Sequence, residues 1–181
     1  MDPLTHYLGG WLAGKRLHAA KPYWKLLVFS ALLPDIDIFL IVFGWEYLGW
    51  HAIYTHTLAG IAGFALPLLL IFHFLYKVDM IKAIPFYLGG FLLHLFLDIF
   101  NWQYLIGYSQ RFLWPLSAQT FNLFYAFGIP PYSSLGLSIY LSIFTMALIT
   151  FLYFILKKDY PWALWNEEIA FLKRMIVRTK T

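Results

Sequence analysis

Long apolar segments constrain this chain more than any other feature of its sequence. Three of them, 57–76, 83–105 and 135–156, are long enough to cross about 30 Å of hydrocarbon. A fourth segment, 24–47, is of similar length but is interrupted by Pro34 and two acidic residues. Inside lipid every backbone N–H and C=O group must be paired, and a helix pairs them within one segment. The pattern therefore predicts an all-α integral membrane bundle with four spanning helices.

Composition supports a single membrane domain over residues 1–181. Only 12% of the residues are charged, against about a quarter in soluble proteins, and 61% are hydrophobic. The net charge of +4 comes from short basic runs at the ends of the apolar segments, so no nucleic-acid partner is expected. The absence of cysteine excludes disulfides and thiolate metal ligands. We expect residues 1–115 to form the core that carries the motifs.

The distribution of basic residues predicts the orientation in the membrane. Lysine and arginine cluster at 15–25, at 77–82 and from 157 onward, and the positive-inside rule places these loops in the cytoplasm with the C-terminus. We further expect a short re-entrant or interfacial helix over 5–14, capped by Asp2 or Thr5, and no cleavable signal. The tail, 160–181, is expected to be cytoplasmic and to contain an amphipathic surface helix.

One apolar segment contains a polar stripe. His94 and Asp98 are four residues apart and Asn101 follows three later, so all three lie on one face of a helix. Imidazole and carboxylate groups are ligands for divalent metals. Because such groups are expensive to bury in lipid, they usually have a function and a partner.

Other polar residues converge on the same membrane depth. Two acids follow Pro34, two histidines precede the second span, and one histidine lies on the N-terminal helix. The candidate ligand set is therefore His6, Asp35, Asp37, His51, His56, His94 and Asp98. Helix capping, interfacial placement and an internal His–Asp hydrogen bond are the alternative explanations for individual members. His18, in a basic loop, and His73, on an apolar face, are not included.

The set is larger than one zinc ion requires, because a structural zinc site has four ligands. It is therefore compatible with one to three divalent ions, of which zinc is the most suitable, or with acids left over for proton transfer. We assign Asp37 as the catalytic base for a metal-bound water. Asn101 is expected to hydrogen-bond a ligand rather than bind metal itself.

Several motifs in this order resemble those of a known family. They are Asp2-Pro3-Leu4-Thr5-His6, Leu33-Pro34-Asp35-Ile36-Asp37, His51-x4-His56, His94-x3-Asp98 with Asn101, and Trp114-Pro115. The chain resembles the YdjM-type family of membrane-bound metal-dependent hydrolases, which includes LexA-regulated inner-membrane proteins. It is also distantly similar to the zinc phospholipase C superfamily. The resemblance implies metal binding by His6, Asp35, His51, His56, His94 and Asp98, with Asp37 as a ligand or base.

Two positions depart from the family pattern. Ala52 stands where members often have arginine, and Thr57 stands where they often have serine. Loss of the arginine removes a cation that could bind phosphate. Arg111, in the aromatic loop that follows the third span, can supply an anion-binding group instead.

These features favour a hydrolase that uses metal-activated water on a lipid or lipid-linked (phospho)ester, with membrane lipids and an amphiphilic substrate as partners. The alternative is a non-catalytic ion or metal transporter, because intramembrane His/Asp clusters also mark ion pathways. A polar path continuing toward the cytoplasm would favour transport, and an apolar floor would favour hydrolysis. An intramembrane protease of the prenyl-processing type is disfavoured, since Glu167-Glu168 lacks the arginine that its motif requires.

Overall fold

The computed structural model describes residues 2–36, 55–99, 111–117, 119 and 134–178. The described part of the chain contains helices and no strand, which confirms the all-α prediction. The helices are α1 (Pro3–Arg16), α2 (Lys21–Leu32), α3 (Leu58–Tyr76), α4 (Met80–Asp98), α5 (Ser134–Leu156) and α6 (Asn166–Arg178). A 3-10 helix, Pro161–Trp165, precedes α6.

Three helices among the described residues are long and apolar enough to cross a membrane: Leu58–Tyr76, Met80–Asp98 and Leu137–Leu156. They correspond to the second, third and fourth predicted spans. The third ends at Asp98 instead of continuing to residue 105, and residues 100–110 lie outside the described part. The total of four spans stays a prediction.

The first predicted span, 24–47, is interrupted where its sequence indicated. Helix α2 ends at Leu32 and continues as a 3-10 turn over 33–36, while 37–54 lie outside the described residues. Pro34 has no N–H to donate to the carbonyl four residues earlier, and its ring crowds that carbonyl. The break places Asp35 in the 3-10 turn at the end of α2.

A capping residue fixes the start of the N-terminal helix. Asp2 Oδ1 accepts a hydrogen bond from the Thr5 backbone N–H at 2.9 Å, and Oδ2 accepts one from the Thr5 hydroxyl at 2.6 Å. Pro3 occupies the first helical turn, where its missing N–H costs nothing. The predicted cap at Asp2 is confirmed, and it sets the position of His6 one turn into α1.

Helix α2 is packed between α1 and α4 through two glycines. A Cβ atom added to Gly10 would lie 2.9 Å from Val28 Cα, and one added to Gly90 would lie 2.3 Å from Leu27 O. No larger residue fits at Gly90 without moving a backbone. His6 and His94 lie four residues from these glycines in the sequence, so each is one helical turn beyond a point of close contact.

The opposite end of the bundle, here called the lysine end, is held together by ion pairs. Lys15 pairs with Asp159, and Lys25 Nζ lies 2.6 Å from Glu168 Oε1. The Tyr76 hydroxyl donates to the same Glu168 oxygen at 2.7 Å. These contacts join the end of α1, the start of α2, the end of α3 and the C-terminal segment. The basic segments that the sequence places on one side therefore do meet at one end.

Candidate metal centre

Five buried polar side chains meet at the other end of the bundle, here called the histidine end. They come from α1, the turn after α2, the turn before α3, and α4, and they are His6, Asp35, His56, His94 and Asp98. Their exposed fractions run from 0% for His6 and His94 to 7% for Asp35. Chain segments distant in sequence thus bring imidazole and carboxylate groups to one place.

The nitrogen and oxygen atoms that face one another are closely spaced. His94 Nε2 lies 3.0 Å from His56 Nε2 and 3.0 Å from Asp98 Oδ2. His56 Nε2 lies 3.2 Å from Asp98 Oδ2 and 3.3 Å from Asp35 Oδ1. His6 Nε2 lies 3.2 Å from Asp98 Oδ1 and 3.7 Å from Asp35 Oδ2.

These separations are those of ligands around one small ion. Atoms held tetrahedrally at about 2.0–2.1 Å from zinc are roughly 3.3 Å from each other. The observed spacings of 3.0–3.7 Å lie on both sides of that value. Two overlapping trios, His6–His94–Asp98 and Asp35–His56–His94, each have their ligand atoms within 4.8 Å of one another. The residues present therefore fit a divalent metal.

The orientation of His94 is set by the backbone of α2. Its Nδ1 lies 2.8 Å from Ala31 O, and a carbonyl oxygen can only accept a hydrogen bond. Nδ1 therefore carries the proton, and in the neutral ring Nε2 presents a lone pair. That lone pair faces His56 Nε2 and Asp98 Oδ2, each at 3.0 Å. In this orientation Nε2 could bind a cation at the centre, with the Ala31 carbonyl supporting the ligand from outside.

The surroundings of His6 also fit a bound cation. Its ring stacks on His94 with centroids 3.8 Å apart and planes 16° apart. Within the described part of the chain, neither ring nitrogen of His6 makes a hydrogen bond of ordinary geometry, although the side chain is fully buried. Buried polar atoms nearly always have a partner, so a metal at Nε2 would supply one.

The charges of the five side chains lead to the same conclusion. Two buried carboxylates, Asp35 and Asp98, face three imidazoles. With the imidazoles neutral, as metal ligation requires, the group has a net charge of −2. One divalent ion balances that charge.

The sequence-predicted residues are distributed as follows. Five of the six predicted ligands meet at the centre, while His51, the predicted base Asp37, and Asn101 lie outside the described residues. Arg111 is exposed and begins a segment that contacts the start of α3. In that segment Phe112 O accepts from Leu58 N at 3.0 Å. Arg111 is thereby placed near the chain segment that contains His56.

Some contributors were not predicted. They are the Ala31 carbonyl, the Thr55 hydroxyl at 2.9 Å from His56 Nδ1, and the glycines Gly10 and Gly90. The four-residue spacing between each glycine and a histidine was visible in the sequence. Thr57 is explained by helix capping: its hydroxyl accepts from the Gly60 N–H at 3.2 Å, as serine would.

Comparison with known proteins gives one match. No curated protein and no solved structure matches the chain. A family model described as YdjM inner membrane protein matches residues 1–166, which include all five residues of the centre. The match and the three apolar helices agree in indicating a membrane protein. The chain belongs to the YdjM inner membrane protein family.

Proposed function

We propose that the protein is a metal-dependent hydrolase of the inner membrane, acting on a lipid or lipid-linked ester, with a phosphoester as the preferred class. The observation that carries the proposal is the contact between His56 Nε2 and His94 Nε2 at 3.0 Å, with the His94 proton held at its other nitrogen. With this orientation His94 Nε2 and the facing His56 Nε2 could bind one cation. A metal held there would activate water for attack on an ester.

The donor set favours zinc over magnesium or calcium. Imidazole nitrogens suit zinc, whereas hard cations select oxygen ligands almost exclusively. When bound, the metal would lower the pKa of a coordinated water and polarise the ester. His6, Asp35, His56, His94 and Asp98 would hold it, with His51 as a further ligand. Ala31 O would keep the His94 proton on Nδ1 and leave Nε2 for the metal, and Asp37 would accept a proton from the bound water.

A phosphoester substrate needs a positive group near the metal. Arg111 is exposed, and its neighbour Phe112 is joined to the start of α3 by the hydrogen bond from Leu58 N to Phe112 O. In this position it can bind a phosphate oxygen at the mouth of the site. It takes the role that the family often gives to an arginine at the position of Ala52.

The orientation in the membrane is part of the proposal. The lysine end would face the cytoplasm with the C-terminus, and the histidine end would open to the outer side. Its support is the gathering of Lys15 and Lys25 at one end, away from the metal centre. The chain would be multi-pass with four spans, and an amphiphile would enter from the outer leaflet.

The floor of the site supports hydrolysis over transport. One turn toward the lysine end, the centre is followed by Gly10 and Trp11 on α1, Leu27 on α2, and Gly90 and Phe91 on α4, all of them buried. An ion path would need polar groups at this level. Among the described residues, Ser30 is also buried at this level, but one hydroxyl does not make a path for a divalent ion.

The proposal is tested by elemental analysis and by hydrolysis of defined lipids in detergent. The wild-type protein should contain close to stoichiometric zinc and should cleave a phospholipid or a prenyl-phosphate ester. Asp98→Asn should lose most of both, because it removes a charge from the centre while keeping the shape. The matched control is His73→Ala, since this exposed histidine of α3 bonds Val78 O at 2.8 Å and lies outside the centre. Equal metal content in wild type and Asp98→Asn would refute the assignment.

A further inference from the structure

An apolar groove runs between α2 and α3. Its volume is about 310 Å³. The α2 side is formed by Phe29, Leu33 and Ile36, and the α3 side by Phe64, Leu68 and Ile71. We call this the α2–α3 groove. It is open along one side, because Ile71 is 50% exposed and Leu75 is 70% exposed.

The groove begins beside the metal centre. Ile36 lies at the histidine end of the groove and directly follows Asp35 in the 3-10 turn. On the other wall, Phe64 lies two helical turns after His56. From Phe64 to Leu75, helix α3 rises roughly 17 Å, so the groove is long and narrow.

The groove ends at the lysine end against two immobilised aromatic side chains. Tyr76 and Trp165 both line it there. The Tyr76 hydroxyl donates to Glu168 Oε1 at 2.7 Å, and Trp165 Nε1–H donates to the Tyr7 hydroxyl at 3.1 Å. With their polar atoms held in this way, the two rings line the groove at its lysine end.

We propose that the α2–α3 groove binds one hydrocarbon chain of a membrane lipid, with the headgroup of that lipid at the metal centre. The lining is apolar, a volume of about 310 Å³ suits a single chain, and one end is lined by aromatic rings while the other adjoins the polar centre. A lipid of the outer leaflet has the same arrangement of polar and apolar parts, since its ester lies near the outer surface and its chain points toward the middle of the membrane. Placement of the ester at the metal rests on the proposed hydrolase function, whereas binding of the chain does not.

The shape of the groove, more than its apolarity, must favour a lipid chain in the groove over the same chain in the surrounding bilayer. Lipid tails are as apolar as the groove, so no hydrophobic driving force favours one over the other. A chain gains from packing against Phe29 and Phe72, whose rings meet edge to face with centroids 6.2 Å apart. We therefore expect the chain to occupy the groove in a fixed register.

Photo-crosslinking tests this register. The probe is phosphatidylethanolamine that carries a diazirine either near the ester or at the end of one acyl chain, in phospholipid bicelles. The near-ester probe should label Phe64 and Leu68, and the chain-end probe should label Leu75. Adducts on the other face of α3, at Leu66 and Phe74, should be fewer by about tenfold. Similar labelling of both faces at equal depth would overturn the proposal.

Two variants of α3 provide the matched comparison. Ile71→Trp fills the groove and should reduce its labelling about tenfold, because overfilling a packed site is unfavourable. Leu66→Trp places the same ring on the lipid-facing side, where Leu66 is 60% exposed, and should leave labelling unchanged. Both variants should contain as much metal as the wild-type protein, and this measurement verifies that they fold. Unaltered labelling of Ile71→Trp would also overturn the proposal.

A third variant separates this inference from the proposed function. His94→Ala removes a metal ligand and lies outside the groove, so groove labelling should persist in it. Groove labelling without hydrolysis of any lipid ester would support chain binding and would count against the hydrolase. Loss of groove labelling in His94→Ala would overturn the inference, because chain binding would then depend on an intact metal centre.

Discussion

The two ends of the bundle bury ionisable groups in opposite ways. At the lysine end each buried charge meets an opposite one: Lys25, 2% exposed, lies 2.6 Å from Glu168 Oε1 and 5.0 Å from the centre of the Tyr76 ring. At the histidine end, Asp35 and Asp98 face imidazoles whose nitrogens also face one another. In the first arrangement the charges are balanced by groups of the protein itself. The second is balanced when a cation is added.

The difference indicates separate roles. An ion pair such as Lys25–Glu168 fixes where the C-terminal segment docks, and it needs no ligand to do so. A group of electron-rich atoms in a buried site is stabilised by the ligand it binds, so its stability should depend on metal. The following changes are chosen to alter one end and not the other.

Metal removal should produce the largest effect. Chelation should lower the unfolding midpoint of wild-type protein, and zinc at about a hundredfold excess over its Kd should restore about 3 kcal/mol. The measurement is thermal unfolding in detergent with and without chelator. His94→Ala should abolish the response to zinc, while His73→Ala should keep it. A midpoint that does not change on chelation would show that the histidine end is complete without metal.

Substitution at Gly90 should open the contact between α2 and α4. Gly90→Ala places a Cβ 2.3 Å from Leu27 O and should cost about 1–3 kcal/mol of unfolding free energy. Because His94 lies one turn further along α4, zinc occupancy should fall as well. The neighbour Gly89 is the control, since a Cβ there meets nothing within 4 Å. Equal behaviour of Gly90→Ala and Gly89→Ala in unfolding and metal assays would contradict the packing argument.

Removal of the buried lysine should weaken the lysine end alone. Lys25→Met keeps the length of the side chain but leaves Glu168 without its cation, which should cost roughly 1–3 kcal/mol. Zinc content should stay unchanged. Lys21 is the matched surface case: its Nζ lies 3.4 Å from Glu167 Oε1 and both side chains are about two-thirds exposed. Lys21→Met should therefore change the unfolding free energy by less than about 1 kcal/mol.

The smallest expected effect is a pH dependence of the tail. Burial raises the pKa of Glu168, but hydrogen bonds from Lys25 and Tyr76 outweigh it and lower the pKa below its usual 4.5. A lowered pKa in the folded state means that this contribution is present above pH 4.5 and is lost as the pH falls through the folded value. Hydrogen exchange of Asn166–Arg178, corrected for intrinsic rates, should rise at low pH. Glu168→Gln should lack this rise in hydrogen exchange. The same rise in that variant would show that another group causes it.

Helix content was largely predictable, and helix limits were predictable in part. Apolar length indicated α3, α4 and α5, Asp2 indicated the start of α1, and Pro34 indicated the end of α2. The five side chains of the candidate metal centre were all candidates from the sequence, because Asp and His in apolar segments are expensive to bury. Their arrangement was not predictable, since the distances between His6, Asp35 and His94 depend on how three helices pack.

The sequence by itself determined that this chain is a helical membrane protein whose apolar segments contain His and Asp side chains that could hold a metal. Apolar length and the cost of buried polar groups are local properties of the chain, so they can be read residue by residue. The tertiary structure decided that His94 presents Nε2 and not Nδ1, because Ala31 O comes from another helix. It also decided how closely the helices approach, through Gly10 and Gly90. Both depend on contacts between segments distant in sequence, which no local pattern specifies.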